Sequence, residues 1–276
     1  MIKKTGLGLV VMIAGLGAQA LADTPPRHIV SFNLCADQLL LALADPSQIA
    51  ALSPYATDET LSVMTKEAAP FPKTDWNTES VVNLKPDLVL TGFSDRPARA
   101  LLSATGLRVV QVDLVSNLAA ARAQVREIGA LVGHPRRGEA LAQKLEQAEK
   151  DLKASALKPP RTALIVQREG YTEGTASLAA SMLTAAGLVP PADAVGGFGG
   201  FVSLETLLAN GPDVLVLQEA TKGATDQGAL FLTHPALLAR YGPDRRIDLP
   251  ARYTLCGGPA LLQGLGVLKS ELKKLR

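Results

Sequence analysis

The chain has 276 residues, of which 47% are hydrophobic, 28 are lysine or arginine and 26 are aspartate or glutamate. This length and apolar content suffice for one large domain, or for two modest ones with proper cores. A net charge of only +2, without a basic stripe, argues against nucleic acid or an anionic membrane surface as the main partner.

The N-terminal segment has the features of a secretory signal peptide. Two lysines precede an apolar run that ends in an A-x-A cleavage site at residues 20–22. We expect residues 1–22 to be removed by cleavage after Ala22, which leaves a soluble periplasmic protein with 26 basic and 26 acidic residues. The alternative, a membrane-spanning helix, would need about 20 unbroken apolar residues and a charged far flank. The first cysteine is Cys35, so no lipid anchor is available at the new N-terminus.

Buried strands alternate with helices in the first part of the mature chain. The apolar runs do not alternate with polar residues, which is typical of strands covered on both faces of a sheet. Parallel strands with helical crossovers are therefore expected. The strand patterns lie at 28–32, 87–91 and 108–113, and the helical patterns at 36–44, 96–105 and 117–132.

The middle of the chain has helical patterns only. They are interrupted at Gly133-His134-Pro135, whose proline fits the first turn of a second helix. A helix over 136–156 would be about 30 Å long, enough to cross from one lobe to another. The Pro159-Pro160 pair ends it, and the strand pattern RTALIVQ follows at once. We thus expect an N-terminal lobe at 23–135, a linking helix at 136–158 and a C-terminal lobe at 159–276.

One stretch occurs twice. NTESVVNLKPDLVLT at 77–91 and SLETLLANGPDVLVL at 203–217 align without a gap, at an offset of 126 positions. Each predicts a short helix with a glutamate in its first turn, a stop at proline and a buried strand. The offset exceeds the roughly 20–50 residues of a solenoid repeat and indicates two similar lobes. A favourable interaction with the helix dipole could by itself explain why Glu79 and Glu205 stand at these positions.

The chain resembles the periplasmic binding proteins that serve ABC importers of cobalamin, ferric siderophores and haem. The resemblance lies in the export signal, in the two α/β lobes with their long connecting helix, and in the twin glutamate–proline–aspartate signature. The resemblance covers residues 27–275. It implies an α/β fold of two Rossmann-like lobes with mostly parallel sheets, joined by one long backbone helix. It also implies a monomer without enzymatic activity, cofactor or metal of its own, which carries a metal chelate to an ABC permease dimer in the inner membrane. In relatives, the two glutamates meet arginines of the permease, and the motif places that role on Glu79 and Glu205.

The resemblance further implies a ligand site in the cleft between the lobes, against loops at the ends of strands, as is general for open α/β sheets. Aromatic residues make up only 4% of the chain, and their concentration at predicted strand ends fits a cleft that binds a large, flat or greasy ligand. Arginines in the same loops could pair with carboxylate or phosphate groups. The alternative to ligand contact is that each aromatic residue packs at a lobe edge and each arginine is solvated at the surface. The candidate ligand contacts are Asn33, Trp76, Phe93, Arg96, Arg168, Tyr171, Phe198, Phe201, Arg252 and Tyr253.

The glycine-rich stretch at 195–201, VGGFGGF, is also expected in the cleft. It lacks the Lys-Ser/Thr of a phosphate loop and the strand-to-helix context of a dinucleotide fingerprint. We interpret it as a mobile or closely approached loop.

Cys35 and Cys256 are the only cysteines. Each follows a strand pattern at the start of a helix, one in each lobe. An even count in an oxidising periplasm favours a disulfide, which would tie the lobes together at the cleft. The alternative is a pair of thiols of low pKa at helix N-termini, able to hold a soft metal.

Two other functions remain open. A haem carrier would bring an axial tyrosine or histidine to the cleft, and Tyr171 or Tyr253 could serve. A periplasmic hydrolase would need an unfamiliar nucleophile, because the sequence has no GxSxG, HExxH or SxxK motif and its three histidines are scattered.

Overall fold

Two four-stranded parallel sheets form the frame of the protein. The computed structural model describes residues 24–93, 96–194, 196–197, 199–218 and 227–275. The predicted signal peptide, residues 1–22, lies outside these described residues. Within them, no helix is both long enough and apolar enough to cross a lipid bilayer.

The first lobe is built on a sheet in which the strand order is β2-β1-β3-β4. Alternate residues of a strand point to opposite faces of the sheet. Leu90 of β3 therefore packs with Leu39 and Leu40 of α1, whereas Val89 packs with Leu102 of α4 on the other face. The strands are β1 (Ile29–Ser31), β2 (Ile49–Ala51), β3 (Leu88–Gly92) and β4 (Val109–Val112), and the helices are α1 (Leu34–Leu43), α2 (Thr65–Ala68), α3 (Thr78–Asn83), α4 (Arg96–Ala104) and α5 (Leu118–Leu131).

Strand β4 departs from the prediction that every apolar run is covered on both faces. Of its four residues only Val112 is buried, and the other three are half-buried. The reason is its place at the edge of the sheet, where one side has no neighbouring strand.

The long helix α6 (Pro135–Ala154) connects the lobes. Pro135 occupies its first turn, as predicted, and 20 residues give a length of about 30 Å. The helix ends two residues before the predicted Ala156. There the N–H groups of Ser155 and Ala156 donate to carbonyl groups only three residues back, in a tighter final turn.

The second lobe repeats the topology of the first. Its sheet has the order β7-β5-β9-β10, so that β5, β7, β9 and β10 correspond to β1, β2, β3 and β4. The repeat noted in the sequence thus marks equivalent elements, and the predicted α/β fold with two parallel sheets is confirmed. The strands are β5 (Arg161–Val166), β6 (Tyr171–Glu173), β7 (Leu188–Val189), β8 (Gly199–Phe201), β9 (Val214–Leu217) and β10 (Arg246–Asp248), and the helices are α7 (Leu178–Ala185), α8 (Leu204–Asn210), α9 (Gln227–Leu232), α10 (Pro235–Arg240) and α11 (Pro259–Glu271).

One hydrophobic core runs through both lobes. Helix α6 packs against α5 of the first lobe and against α11 and α7 of the second. Through Leu145 and Leu152 of α6, one cluster of buried residues extends from Ile29 in β1 to Ile165 in β5. The lobes are therefore not separated by a solvated linker.

The aspartate of the twin stretch fastens neighbouring strands in each lobe. Asp87, just before β3, accepts hydrogen bonds from the backbone N–H groups of Arg27 at 2.6 Å and His28 at 3.0 Å. Asp213, just before β9, accepts from the N–H of Thr162 at 2.9 Å and from its hydroxyl at 2.7 Å. This aspartate matches in both copies of the twin stretch, but its role was not predicted from the sequence.

Candidate functional site: the cleft between the lobes

Segments that follow β1 and β10 meet at the junction of the two lobes. Cys35, after β1, and Cys256, after β10, form a disulfide with their Cα atoms 5.2 Å apart. Leu34 packs against Cys256 in a small apolar cluster. Nearby, Arg252 Nη1 donates to the carbonyl oxygen of Glu59 at 2.9 Å. These contacts join the first lobe to the second at the carboxyl ends of their strands, where open α/β sheets bind ligands.

Three aromatic rings gather on the first-lobe side. The Trp76 ring centroid is 5.0 Å from that of Phe32, edge to face, and 5.0 Å from that of Tyr55. Phe32 is buried, whereas Trp76 is 39% and Tyr55 is 46% exposed. We call Phe32, Tyr55 and Trp76 the first-lobe aromatic cluster. Of the three, only Trp76 was predicted from the sequence to contact ligand, because the cluster joins rings that are far apart in the chain.

Trp76 has an unusual backbone conformation. Its φ of 63° lies in the left-handed region, which costs a non-glycine residue roughly 1–2 kcal/mol. The Asp75 carboxylate accepts a hydrogen bond from the N–H of Asn77 at 3.0 Å and so closes a tight turn around Trp76. Strain of this kind persists where the surroundings fix it and is frequent at ligand sites.

Two further rings lie on the second-lobe side. Tyr171 of β6 is paired with Phe201 of β8 in a two-stranded antiparallel ribbon, and their ring centroids are 5.5 Å apart. Phe201 is 71% exposed and lines a cavity of about 190 Å³ next to α8. Part of the glycine-rich stretch, predicted to be a loop, is thus strand β8. A Cβ on Gly199 would lie 2.4 Å from the Thr172 carbonyl oxygen, which explains why glycine stands there.

The other candidate contacts differ in their surroundings. Asn33 caps α1, since its side-chain oxygen accepts from the N–H of Cys35 at 2.9 Å. Phe93 follows β3 directly and is 48% exposed. Arg168 is exposed and lies beside Gly228 of α9. Phe198 and the side chain of Arg96 lie outside the described residues.

Arg252 has a structural contact in addition to its place at the cleft. Besides reaching Glu59, its guanidinium donates to the Tyr253 hydroxyl at 3.2 Å and lies 5.0 Å from the centre of the Tyr253 ring. Its Nε is buried without a hydrogen-bond partner. Arg252 and Tyr253 are therefore held together as a unit at the junction of the lobes.

A network of amides, which the sequence analysis missed, supports the second-lobe side. Gln167 donates to the Gln218 side-chain oxygen, and Gln218 donates to the Thr254 hydroxyl at 2.9 Å. Gln218 is buried, so these bonds satisfy polar groups that would otherwise destabilise the fold. The only signal in the sequence is that Gln167 and Gln218 each follow a buried strand.

Glu79 and Glu205 are both exposed in the first turns of equivalent helices, α3 and α8. Asn77 caps the first helix and Ser203 the second. The pKa of Glu205 is lowered by hydrogen bonds from its own backbone N–H and from Ser203, with a smaller contribution from His234. At neutral pH this side chain is therefore a carboxylate that can face a cationic partner.

A separate open groove of about 680 Å³ lies between α5, α6 and α7. It is lined by small and polar residues, together with the ion pair of Arg122 and Glu149. None of the candidate ligand contacts lines it.

These features define a two-lobed α/β protein whose parallel sheets share one core and are linked by a disulfide. The chain belongs to the periplasmic binding protein family, whose family model matches residues 29–239. No curated protein sequence matches the chain significantly.

Solved structures of similar fold span nearly the whole chain. A periplasmic heme-binding protein from a Roseiflexus species has a TM-score of 0.73 and 23% identity, with 91% of this chain and 99% of that chain covered. A periplasmic vitamin B12-binding protein of Vibrio cholerae has a TM-score of 0.71 and 17% identity, covering 90% and 97%. A possible iron-binding protein from Staphylococcus epidermidis has a TM-score of 0.70 and 19% identity, covering 90% and 98%. At such identities the likeness concerns the fold.

Proposed function

We propose that this protein is the periplasmic receptor of an ABC importer, which captures a metal chelate in the cleft and delivers it to the permease. The observation that carries the proposal is that exposed or partly exposed aromatic side chains pack together in each of the two lobes, in a chain of the periplasmic binding protein family. Aromatic rings bind large, flat or apolar ligands through extensive contact area. The ligand class is a ferric siderophore or a cobalamin-like corrinoid.

The proposed contacts are those selected from the sequence, with Tyr55 added because its exposed ring packs on Trp76. Trp76 is the central one, since its partly exposed ring is held by a strained turn and by two other rings. Arg252, with its buried and unpartnered Nε, supplies positive charge at the cleft floor for an anionic group of the chelate.

A haem carrier is the second candidate. Similar folds include proteins described as heme-binding from Roseiflexus and Pseudomonas aeruginosa. A tyrosine hydroxyl can serve as an axial ligand of haem iron, and Tyr171 and Tyr253 are both half-buried beside the cleft. A periplasmic hydrolase would be favoured instead by hydrolysis of generic ester or phosphate substrates.

Delivery requires a docking surface, and Glu79 and Glu205 are proposed to provide it. They stand at matching positions of the two lobes, so a permease made of two like subunits would meet one carboxylate with each. Exposed ion pairs contribute about 0.2–1 kcal/mol each, which suits orientation and partner choice rather than bulk affinity.

The function is tested first with the purified protein. The visible spectrum and mass of any bound ligand are recorded, and thermal shifts are then measured with cyanocobalamin, ferric siderophores and haem. A ligand at 100 times its Kd should stabilise the protein by about 2.7 kcal/mol. If none of these chelates stabilises the protein or quenches Trp76 fluorescence, the proposed ligand class is wrong.

The site is tested with the ligand found in this way. Trp76→Ala should lose about 2 kcal/mol of binding free energy, or about 30-fold in affinity, because a central aromatic anchor is removed. Trp76→Phe keeps a ring and should lose less. Leu101→Ala, which changes an apolar side chain that is 60% exposed on α4, is the control and should bind normally. Unchanged affinity in Trp76→Ala would exclude this surface as the ligand site.

A further inference from the structure

The three rings of the first-lobe aromatic cluster come from separate segments of the chain. Phe32 directly follows β1, and Tyr55 lies in the single turn Pro54–Thr57 after β2. Trp76 belongs to the segment before α3. Phe32 is tied to the sheet, because its N–H donates to the Leu90 carbonyl oxygen at 2.8 Å. Tyr55 and Trp76 lie outside the longer helices and the strands, so the placement of these two rings depends on contacts between the segments.

One buried carboxyl is hydrogen-bonded to the segment that carries Tyr55. Asp37, in the first turn of α1, has no exposed surface. It accepts hydrogen bonds from the N–H of Ser53 at 2.9 Å and from the Ser53 hydroxyl at 2.5 Å. The Ser31 side chain also lowers the pKa of Asp37, while its hydroxyl donates to the Asn33 carbonyl oxygen at 3.1 Å. Ser53 is two residues before Tyr55, and Ser31 immediately precedes Phe32.

The third segment is linked to the same carboxyl through charge. Lys73, three residues before Trp76, exerts a favourable electrostatic effect on ionised Asp37. Leu52 and Lys73 also form an isolated parallel bridge, which joins the segment before Ser53 to the segment before Trp76. Asp37 is therefore bonded to the chain beside Tyr55, and the residue before Ser53 is bridged to the segment that leads to Trp76.

We propose that Asp37 is a positioning residue, which sets the arrangement of Tyr55 and Trp76 against Phe32 by fixing Ser53 to α1. The two hydrogen bonds from Ser53 to the Asp37 carboxyl carry this proposal. Its consequence for ligand binding rests on the proposed function, because it requires that Trp76 contacts the ligand.

The cost of burying this group supports a positional role. Burial raises the pKa of Asp37 to about 6, although hydrogen bonds from Ser31 and Ser53 oppose the shift. An apolar side chain would fill the same space without a desolvation penalty. It would leave the N–H and hydroxyl of Ser53 without their partner and would impose no direction on the turn that carries Tyr55.

The sole tryptophan makes the proposal directly measurable without a ligand. In Asp37→Ala, we expect the near-UV circular dichroism of Trp76 to decrease and its fluorescence to become more accessible to acrylamide, while far-UV circular dichroism stays native. Asp37→Asn retains one acceptor oxygen, so its Trp76 signals should lie between those of Asp37→Ala and those of the native protein. Asp213→Asn is the matched control, because it changes a carboxylate that accepts the same N–H and hydroxyl pair in the other lobe. It should leave both signals unchanged.

A folded Asp37→Ala protein with native Trp76 signals would overturn the proposal. If Asp37→Ala does not fold, Ser53→Ala is measured instead, because it removes only the hydroxyl contact. A native Trp76 signal in Ser53→Ala would equally overturn the proposal. Binding of haem and cyanocobalamin is measured in parallel, and the probe that binds the native protein should bind Asp37→Ala about tenfold more weakly. Changed Trp76 signals with unchanged affinity would support the positioning role and contradict the use of this cluster as the ligand surface.

Discussion

Gly129 of α5 and Gly138 of α6 lie face to face: a Cβ atom on Gly129 would be 2.8 Å from the Cα of Gly138. The backbones approach so closely that no side chain fits between them. Through this contact the long helix α6 packs against α5 of the first lobe.

We therefore expect Gly129→Ala to destabilise the protein by about 1–3 kcal/mol, because the added methyl group forces the helices apart. Gly266→Ala is the matched control. Gly266 also lies in a helix, α11, but has no atom within 4 Å of an added Cβ, so the same change should stabilise by about 0.5–1 kcal/mol. Urea denaturation of both variants measures the effects, and equal effects of one sign would contradict the packing argument.

The disulfide between the lobes should be detectable chemically. Under denaturing conditions without reductant, the native protein should have no reactive thiol, and each single cysteine-to-serine variant should have one. Replacing both cysteines should cost about 2–4 kcal/mol, because a cross-link between residues 221 positions apart restricts the unfolded chain. Two reactive thiols in the native protein would rule out the bridge.

Asp37 should make stability depend on pH in a defined direction. Its pKa is raised from 3.8 to about 6 in the folded protein, so the folded chain holds a proton that the unfolded chain has already lost between these values. Stability therefore falls as the pH rises through this window, by up to about 3 kcal/mol.

Asp37→Asn has no such proton. Its unfolding free energy, relative to the native protein, should thus shift in its favour by about 2 kcal/mol between pH 4 and pH 7. Other groups, such as Asp213, whose pKa is lowered mainly by the Thr162 hydroxyl, are present in both proteins and cancel in the difference. Urea titrations at several pH values measure it, and a difference that does not vary with pH would contradict the assigned shift.

Charge reversal should separate docking from ligand binding. Glu79→Lys and Glu205→Lys should fold and bind the ligand normally but stimulate the ATPase of the permease in liposomes less, and the double variant should nearly abolish stimulation. Glu127→Lys, which reverses an exposed charge on α5, is the control. Normal stimulation by the double variant, or loss of ligand binding by the isolated protein, would remove the docking role from both glutamates.

Much of the fold could be predicted because its signals are local. Continuous apolar runs located β1, β3, β5 and β9 to within one residue, and Pro135 marked the start of α6. The twin stretch predicted equivalent helices because the proline, the aspartate and the apolar positions all match. Strand β8 escaped prediction, since its glycines give no apolar pattern and are selected by the close approach of Thr172.

The candidate site could be predicted only in part. Strand ends and scarce aromatics singled out Trp76, but its contact with Tyr55, the bond from Arg252 to Glu59 and the burial of Asp37 depend on chain segments meeting in space. Asn33 illustrates the converse, because a polar residue at a strand end can equally be the cap of the next helix.

The hydrophobic core, which α6 extends from one lobe into the other, affects how the protein unfolds. Two lobes on a flexible connection would melt independently and give two transitions. Here the residues buried under β1 and β5 belong to one continuous cluster, and the cleft floor is closed by a covalent bond. Disruption of either sheet exposes apolar surface of the other, so the lobes should unfold as a single cooperative unit with one transition.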